Sequence, residues 1–376
     1  MTGVDRRSLL GAAIAGPALA TSRAMAKPAA ADPRARYSPR ARRIVEQALV
    51  IDMLAPPRLD LSETGWTRPL SDKERADFRT SGITGMHNAI GIGGPDARVD
   101  ALTFLAAQQG FAGRNADVFS LVGSVADLDR AKAERKIGMI MGLQNAEQFE
   151  TTKDVPLFYG LGLRCAQLTY NSQNRIGSGC TDRVDGGVSD YGAEIVAEMN
   201  KAGMLVDVSH SGDRTTLDAI ALSQGPIAIT HANCRALSHH PRGKTDEAIV
   251  ALARKGGVIG ISGVRQFVKD RDPTTVADVA DHIEHVVKLT AVEHVGIGSD
   301  ADLNGYDDMA PDQYKALKAA YKSSYAFRDR IDIEGFDHPR KMYDLTEELI
   351  RRGWSDANIA LVLGGNFRRL LAATWQ

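Results

Sequence analysis

The chain has 376 residues, 46 basic and 47 acidic side chains, and a formal net charge of −1. This balance, without a long basic run, excludes nucleic acid as an expected partner and favours a small-molecule ligand. The cysteines Cys165, Cys180 and Cys234 are odd in number and lack short paired spacings, so they indicate neither a disulfide framework nor a cysteine zinc site. One disulfide between Cys180 and Cys234 is left open.

The N-terminus has the parts of an export signal in order. Arg6 and Arg7 precede an apolar stretch at residues 9–20, and a small-x-small site ends at Ala26. These parts are typical of a twin-arginine signal peptide over residues 1–26, and the apolar stretch is too short for a permanent membrane anchor. We therefore expect a periplasmic protein, with residues 27–40 as a disordered leader.

From residue 41 onward, short apolar stretches alternate mostly with helix-patterned segments. The stretches are residues 48–54, 83–88, 119–122, 137–143, 164–169, 204–209, 227–230, 257–261 and 294–298. This alternation predicts an α/β protein, a single (β/α)8 TIM-like barrel over residues 41–376. An open doubly wound sheet is the second choice, weakened because no Gly-x-Gly-x-x-Gly turn joins a strand to a helix.

Three of these stretches end in side chains that can bind metal. His210 and His231 follow two of them and Asp300 follows a third. The carboxyl ends of barrel strands share one rim, where barrel enzymes keep their chemistry, and the spacing of 21 positions from His210 to His231 fits neighbouring parallel strands. Imidazole and carboxylate suit zinc and similar ions, whereas a hydrogen-bonded structural role is the alternative for either histidine alone.

The chain resembles the membrane dipeptidase (renal dipeptidase) family in residues 191–210, 230–237, 240–246, 294–300 and 363–368. Family members are barrel enzymes of the metallo-dependent hydrolase type, which cleave dipeptides with two bridged zinc ions. The resemblance implies that His210 and His231 bind the second zinc. It further implies that Asp300 binds the first zinc and handles the catalytic proton, and that Arg242 holds the substrate carboxylate.

The chain departs from the family pattern at several ligand positions. Leu54 and Pro56 stand where the family has a histidine and an aspartate for the first zinc, Gln144 replaces the bridging glutamate, and Tyr170 replaces a further active-site histidine. Leucine and proline cannot bind metal, and an amide carries no charge to offset two dications. We expect no binuclear zinc centre, but one zinc or other divalent ion, with Gln144 as a weak ligand and His87 as a compensating one.

These residues predict an exported dipeptidase-like hydrolase that acts on a dipeptide or small peptide-like substrate with a zero- or one-metal centre. A second hypothesis is a non-peptidase enzyme of the proton-transfer, lyase or isomerase type, in which Tyr170 and Asp300 act with the two histidines on a small exported or peptide-derived metabolite. A third is a non-catalytic binding protein on the same barrel. The substrate and the oligomeric state, including a homodimer, are left open.

Overall fold

A closed parallel barrel forms the body of the protein in the computed structural model, which describes residues 32–59, 67–306 and 309–375. Eight strands close the ring in the order β1-β2-β4-β5-β6-β7-β8-β9, and β9 pairs back with β1. The strands are β1 Ile51–Asp52, β2 Gly85–Ile90, β3 Phe119–Val122, β4 Ile137–Leu143, β5 Cys165–Gln167, β6 Leu205–Asp207, β7 Ala228–Ala232, β8 Val258–Ile261 and β9 Val295–Ile297. The predicted (β/α)8 barrel is confirmed, and each predicted strand stretch overlaps a strand.

Strand β3 lies outside the closed ring. It pairs with the first half of β4, from Phe119 opposite Ile137 to Val122 opposite Ile140. The second half of β4 pairs with β5 on one side, and β2 runs along its whole other side. Nine strands were predicted and eight form the ring, so β3 is an addition to the barrel wall.

Helices cover the outside of the barrel. Those in the described residues are α1 Pro39–Gln47, α2 Asp72–Thr80, α3 Ala97–Arg114, α4 Val125–Ala133, α5 Asp154–Gly160, α6 Asp190–Ala202, α7 Asp213–Leu222, α8 Asp246–Arg254, α9 Arg265–Val268, α10 Val276–Leu289, α11 Pro311–Ala319, α12 Lys341–Arg351, α13 Asp356–Ala360 and α14 Asn366–Thr374. Capping boxes start α2, α4 and α10, because a Ser or Thr and an acidic residue three positions later satisfy each other's backbone N–H groups.

The amino-terminal end of the barrel is closed by apolar packing. Inside the barrel, Ile51, Cys165 and Leu205 belong to a buried cluster with Phe367 and Leu370 of α14. Because this end is apolar and filled, polar chemistry is confined to the opposite, carboxyl-terminal rim. Cys165, Cys180 and Cys234 are all free thiols, so the disulfide that the sequence left open is not formed.

The predicted disordered leader, residues 27–40, is wrong from Pro33 onward. Pro33–Arg36 forms a 3-10 turn, and α1 begins at Pro39 behind the cap Ser38. Tyr37 is buried, stacks on Tyr343 at 5.0 Å and donates a hydrogen bond to Asp344 at 2.7 Å. Composition had suggested disorder, but one aromatic anchor fixes this segment against α12. The predicted signal peptide, residues 1–26, and the start of the predicted leader, residues 27–31, lie outside the described residues.

In the ranges that the structure describes, every helix is too short or too polar to cross a membrane.

A carboxylate at the start of α2 holds the loop that follows β1. Glu74 Oε1 accepts hydrogen bonds from Arg58 Nε at 2.7 Å and from Arg68 Nη2 at 3.1 Å, and Glu74 Oε2 accepts one from Ser71 N at 2.6 Å. Burial by itself would raise the pKa of the Glu74 carboxyl. The hydrogen bonds from Arg58, Ser71 and Arg68 outweigh that effect and hold its pKa well below the usual range.

We expect Glu74→Gln to lower the free energy of unfolding at pH 7 by about 1–2 kcal/mol, because charge-assisted bonds are lost. A lowered folded-state pKa gives stability that is present above the unfolded pKa of about 4.3 and is lost as pH falls. The difference between wild type and variant should therefore shrink below about pH 4. Urea unfolding at pH 7 and pH 3 measures it, with Asp72→Asn on the same helix as control. A difference that stays constant with pH would contradict the role of the charge.

Candidate active site

A cavity of about 280 Å³ lies at the carboxyl-terminal rim of the barrel. Its lining includes four residues that were singled out from the sequence as site residues, and two that stand at lost ligand positions. These are Gln144, Tyr170, His210 and Asp300, with Leu54 and Pro56. The structure therefore gathers residues from the ends of β1, β4, β5, β6 and β9 around one space.

His210 and His231 meet beside this cavity. Their Nε2 atoms are 2.9 Å apart, and their ring planes lie at 61° with centroids 5.0 Å apart. His210 follows β6 and His231 lies in β7, and these two strands are paired neighbours. The prediction that the two imidazoles come from adjacent strands is confirmed.

Hydrogen bonds on the far side of each ring fix its orientation. His210 Nδ1 lies 2.7 Å from Asn171 Oδ1, and His231 Nδ1 lies 2.8 Å from Thr230 Oγ1. The Thr230 hydroxyl donates its own hydrogen to Asp207 at 2.5 Å, so it accepts the hydrogen of His231 Nδ1. With both Nδ1 atoms donating, both Nε2 atoms present lone pairs to the same point, an arrangement that a shared cation or proton stabilises.

Burial also keeps the two imidazoles neutral. It lowers the pKa of His210 and of His231 well below the usual range, and the nearby positive charge of Arg242 lowers both further. Neutral imidazole is the form that binds divalent metal.

Asp300 contributes an ionisable group to the cavity. Its backbone is in the left-handed region, φ 60°, held by Asp300 N donating to Leu54 O at 2.9 Å and by the Tyr306 hydroxyl donating to Asp300 O at 2.6 Å. Burial raises the pKa of the carboxyl to about 7, Arg242 opposes the rise and Asp52 adds to it. A group that titrates near neutrality suits proton transfer.

Tyr170 lies against His210 with ring centroids 4.4 Å apart. Its hydroxyl is 2.6 Å from the hydroxyl of Tyr321. Burial raises the pKa of Tyr170 well above its usual value, so the hydroxyl stays protonated and can donate a hydrogen bond.

The residues fit two metal ions poorly and one ion better. Leu54 and Pro56 line the cavity without any donor atom, and Gln144 uses its Nε2 to donate to Ala89 O at 2.9 Å, which leaves only its amide oxygen. Within residues 32–59, 67–306 and 309–375, no group of three or more His, Cys, Asp and Glu side chains could hold a metal ion. The two facing Nε2 atoms remain as donors for a single divalent ion.

Two residues proposed from the sequence do not line the cavity. Arg242 is fully buried behind the histidines, where its guanidinium donates to Ser209 O and, at 3.0 Å, to His231 O. It braces the two strand ends and is not itself among the cavity's lining residues, but its side chain bonds Tyr325, which is, and its Nε has no hydrogen-bond partner. His87 is buried inside the barrel, with Nδ1 on Met53 O at 2.7 Å and its ring packed against Gly142. It too is absent from the lining, so the structure does not place it as a compensating ligand.

The sequence interpretation missed the residues that orient the histidines. Asp207 is the acidic residue inside an otherwise apolar stretch, and it accepts hydrogen bonds from Thr230 N and Ser209 Oγ as well as from the Thr230 hydroxyl. A lone carboxylate in a buried strand needs such donors, and that was the available signal. Asn171, which directly follows Tyr170, carried no comparable signal.

Comparison with known proteins decides the family. The model of the membrane dipeptidase family, peptidase family M19, matches residues 41–318. The chain belongs to this family. Among solved structures, an amidohydrolase from Pseudomonas aeruginosa is 30% identical with a TM-score of 0.77, over 89% of this chain and 99% of that one. The probable dipeptidase PvdM from the same organism has the same fold, with a TM-score of 0.74 at 21% identity over 89% and 97% of the two chains.

Curated relatives of this membrane dipeptidase family member are also dipeptidases by name. An uncharacterized dipeptidase, C965.12, of Schizosaccharomyces pombe is 35% identical over 174 residues, 44% of this chain and 42% of that protein. Dipeptidase verJ of Clonostachys rogersoniana is 31% identical over 239 residues, 63% and 55% of the two chains. The chain spans about half the length of these relatives. By family and fold, the chain is therefore similar to proteins named as dipeptidases.

Proposed function

We propose that this protein hydrolyses the amide bond of a dipeptide or small peptide-like substrate in the rim cavity. The observation that carries the proposal is the meeting of His210 Nε2 and His231 Nε2, 2.9 Å apart, beside a cavity that also contains Asp300. Membership of a hydrolase family supports the reaction type.

Each group has a role in the proposed reaction. Asp300 accepts a proton from the attacking water and returns it to the leaving amine. Tyr170 donates a hydrogen bond to the carbonyl oxygen as that oxygen gains charge. His210 and His231 would hold one divalent ion, usually zinc in this family, which when bound supplies Lewis acidity toward the substrate carbonyl.

The test is amino-acid release from a dipeptide panel by purified protein supplied with Zn²⁺, before and after chelation. We expect cleavage that chelation abolishes, and a loss of about 10²-fold or more in His231→Gln, because one of two imidazole donors is gone. His294→Gln is the matched control, since His294 bonds Gly257 O at the opposite end of β9 and should change the rate by about twofold or less. An undiminished rate in His231→Gln, or no cleavage of any dipeptide, would contradict the proposal.

A second candidate is a proton-transfer enzyme on a small metabolite. It is favoured by Leu54 and Pro56, which line the cavity where the family's first zinc ligands would stand. In that reaction Asp300 and Tyr170 would act without Lewis-acid help. Turnover of a metabolite that is unchanged by chelation, with no dipeptide cleavage, would select this candidate.

We further propose that residues 1–26 direct export by the twin-arginine route to the periplasm. The supporting feature is the pair Arg6 and Arg7 before a short apolar stretch. Replacing both with lysine should leave uncleaved precursor in the cytoplasm, measured by fractionation and immunoblot. Unchanged periplasmic recovery of cleaved protein would contradict twin-arginine export.

A further inference from the structure

A second cavity adjoins the rim cavity on the side of α11. It has a volume of about 660 Å³, and we call it the outer pocket. Ser172 and Thr181, from the segment that follows β5, form one side of it, and Ala316 of α11 and Ala320 directly after α11 form the other. The outer pocket is larger than the rim cavity, and cleavage of a dipeptide in the rim cavity leaves it without a role.

A single layer of side chains separates the two spaces. Among the described residues, five line both of them: Gly91, Tyr170, Leu317, Tyr321 and Tyr325. Within this shared wall, the hydroxyls of Tyr170 and Tyr321 are 2.6 Å apart. On the side of the rim cavity, the Tyr170 ring stacks on His210 at 4.4 Å. The outer pocket therefore begins one ring away from the histidine pair.

The two tyrosines of the shared wall are held unequally. A Cβ atom at Gly91 would lie 2.8 Å from the Tyr170 ring, so this ring is packed against the Gly91 backbone as well as against His210. Tyr321 follows α11, none of whose side chains is buried, and it packs on a small cluster apart from the main core. Segments with few buried contacts move at low cost. Tyr321 is therefore the part of the wall that can turn aside and join the two spaces.

A peptide chain can take the place of the contact between the two hydroxyls. Each tyrosine hydroxyl has one hydrogen to donate and lone pairs to accept with. With a substrate between them, the Tyr170 hydroxyl bonds the scissile carbonyl, as in the proposed reaction, and the Tyr321 hydroxyl bonds the next peptide group. One hydrogen bond is exchanged for two, so the passage leaves no polar group unpaired.

The outer pocket combines an apolar side with one cation. Ala316 and Leu317 of α11 form the apolar side. Among the described lining residues, Lys322 alone has a charged side chain. Its Nζ lies 3.4 Å from Thr181 O and 3.8 Å from the Asp182 carboxylate, and the side chain is 54% exposed. Such long contacts hold an exposed ammonium weakly, and its three N–H donors allow a further partner.

We propose that the outer pocket is a substrate subsite for the C-terminal residue of a tripeptide, an apolar residue whose carboxylate meets Lys322. The first peptide bond is then the one cleaved, and the products are a free amino acid and a dipeptide. This inference rests on the proposed amide hydrolysis. In that step water adds OH to the acyl carbon, the C–N bond breaks and the amine of the dipeptide leaves with the second hydrogen of the water.

The experiment compares alanyl-alanine with alanyl-alanyl-leucine. Chromatography at initial rates separates alanine and alanyl-leucine, the products of cleavage at the first bond, from alanyl-alanine and leucine. We expect cleavage at the first bond, with kcat/KM about 10-fold or more above that for alanyl-alanine, because the leucine side chain is buried in the outer pocket. A tripeptide cleaved no better than the dipeptide, or cleaved at its second bond, would overturn the inference.

A tryptophan placed in the outer pocket tests its occupancy. Ala316→Trp puts an indole into the pocket and should lower the ratio of kcat/KM for the tripeptide to that for the dipeptide by about 10-fold. Ala319→Trp is the matched control, because Ala319 is also exposed on α11 and lies outside the lining of both cavities, so the ratio should not change. If the outer pocket were only an entry route, Ala316→Trp would slow both substrates equally. An unchanged ratio in Ala316→Trp would therefore overturn the inference.

The charge of Lys322 is tested with the C-terminal amide of the tripeptide. The wild type should cleave the free acid about threefold faster than the amide in kcat/KM, the range of an exposed ion pair. Lys322→Gln should remove this preference. Lys315→Gln should keep it, because Lys315 is exposed on α11 outside both cavities. Equal cleavage of acid and amide by the wild type, or a preference that survives in Lys322→Gln, would count against the inference.

Binding separates this inference from the proposed function. Ketomethylene analogues, in which CH₂ replaces the N–H of the first peptide bond, cannot be hydrolysed, and calorimetry measures their Kd. Tighter binding of the tripeptide analogue than of the dipeptide analogue, lost in Ala316→Trp, would uphold the inference and, without cleavage of the parent peptides, reject amide hydrolysis. Equal binding of the two analogues, an advantage that Ala316→Trp retains, or no binding of either would overturn the inference whatever the hydrolysis result.

Discussion

Replacing Asp300 with asparagine is expected to lower kcat/KM for amide hydrolysis by about 10²–10⁴-fold, the usual contribution of a positioned acid–base group. Asparagine is the informative substitution, because Asp300 has φ 60° and asparagine tolerates this left-handed backbone. The side chain keeps its size and loses only its ability to ionise. Steady-state kinetics with the dipeptide panel measures the effect.

The pKa of Asp300 also predicts the direction in which kcat/KM changes with pH. Burial raises the pKa of Asp300 to about 7, so the ionised, proton-accepting form is lost as pH falls through 7. We expect kcat/KM of the wild type to fall on the acid side of pH 7, and this limb to be absent in Asp300→Asn. Asp182→Asn is the control, because its amide oxygen can still accept from Gly179 N. A similar loss in both variants, or an acid limb that persists in Asp300→Asn, would contradict the role of Asp300.

Gly298→Ala is expected to destabilise the fold by about 3 kcal/mol or more, at the upper end for an overpacked site. A Cβ atom at Gly298 would lie 1.9 Å from the carbonyl oxygen of Thr230 and 3.0 Å from His231 Cβ. Backbone cannot move aside as a flexible side chain does, so the end of β9 must separate from the strand that carries His231. Thermal and urea unfolding measure the loss, and activity should fall with it.

The matched control is Gly113→Ala in α3. Gly113 is exposed, and a Cβ atom there would meet nothing within 4 Å. Alanine should raise stability by up to about 1 kcal/mol because it favours the helix. If Gly298→Ala were as stable as Gly113→Ala, the close approach of β7 and β9 at the histidine site would be contradicted.

The barrel could be predicted from sequence because buried strands leave short apolar stretches of regular spacing. The stretch at residues 48–54 overestimated β1, which is only Ile51–Asp52, since apolar residues also pack where the strand has ended. The position of β3 outside the ring could not be predicted. Its pairing beside one half of β4 depends on sheet register, which leaves no trace in local periodicity.

The site could be predicted in part for the same reason. His210, His231 and Asp300 follow from strand ends meeting on one rim. The contact between Tyr170 and Tyr321 joins residues 151 positions apart and depends on how the segment after β9 folds back. The placements of Arg242 and His87 also depended on side-chain direction, which a strand-end pattern does not fix.

The metal content of the purified protein tests the central claim most directly. The claim is that His210 and His231 are the surviving half of a two-ion centre whose other half, at Leu54, Pro56 and Gln144, cannot bind a second ion. Native mass spectrometry with elemental analysis, after equilibration with excess Zn²⁺ and removal of unbound ion, should give one ion per chain in the wild type and none in a His210→Ala, His231→Ala double variant. Two ions per chain, or one ion that the double variant retains, would contradict it.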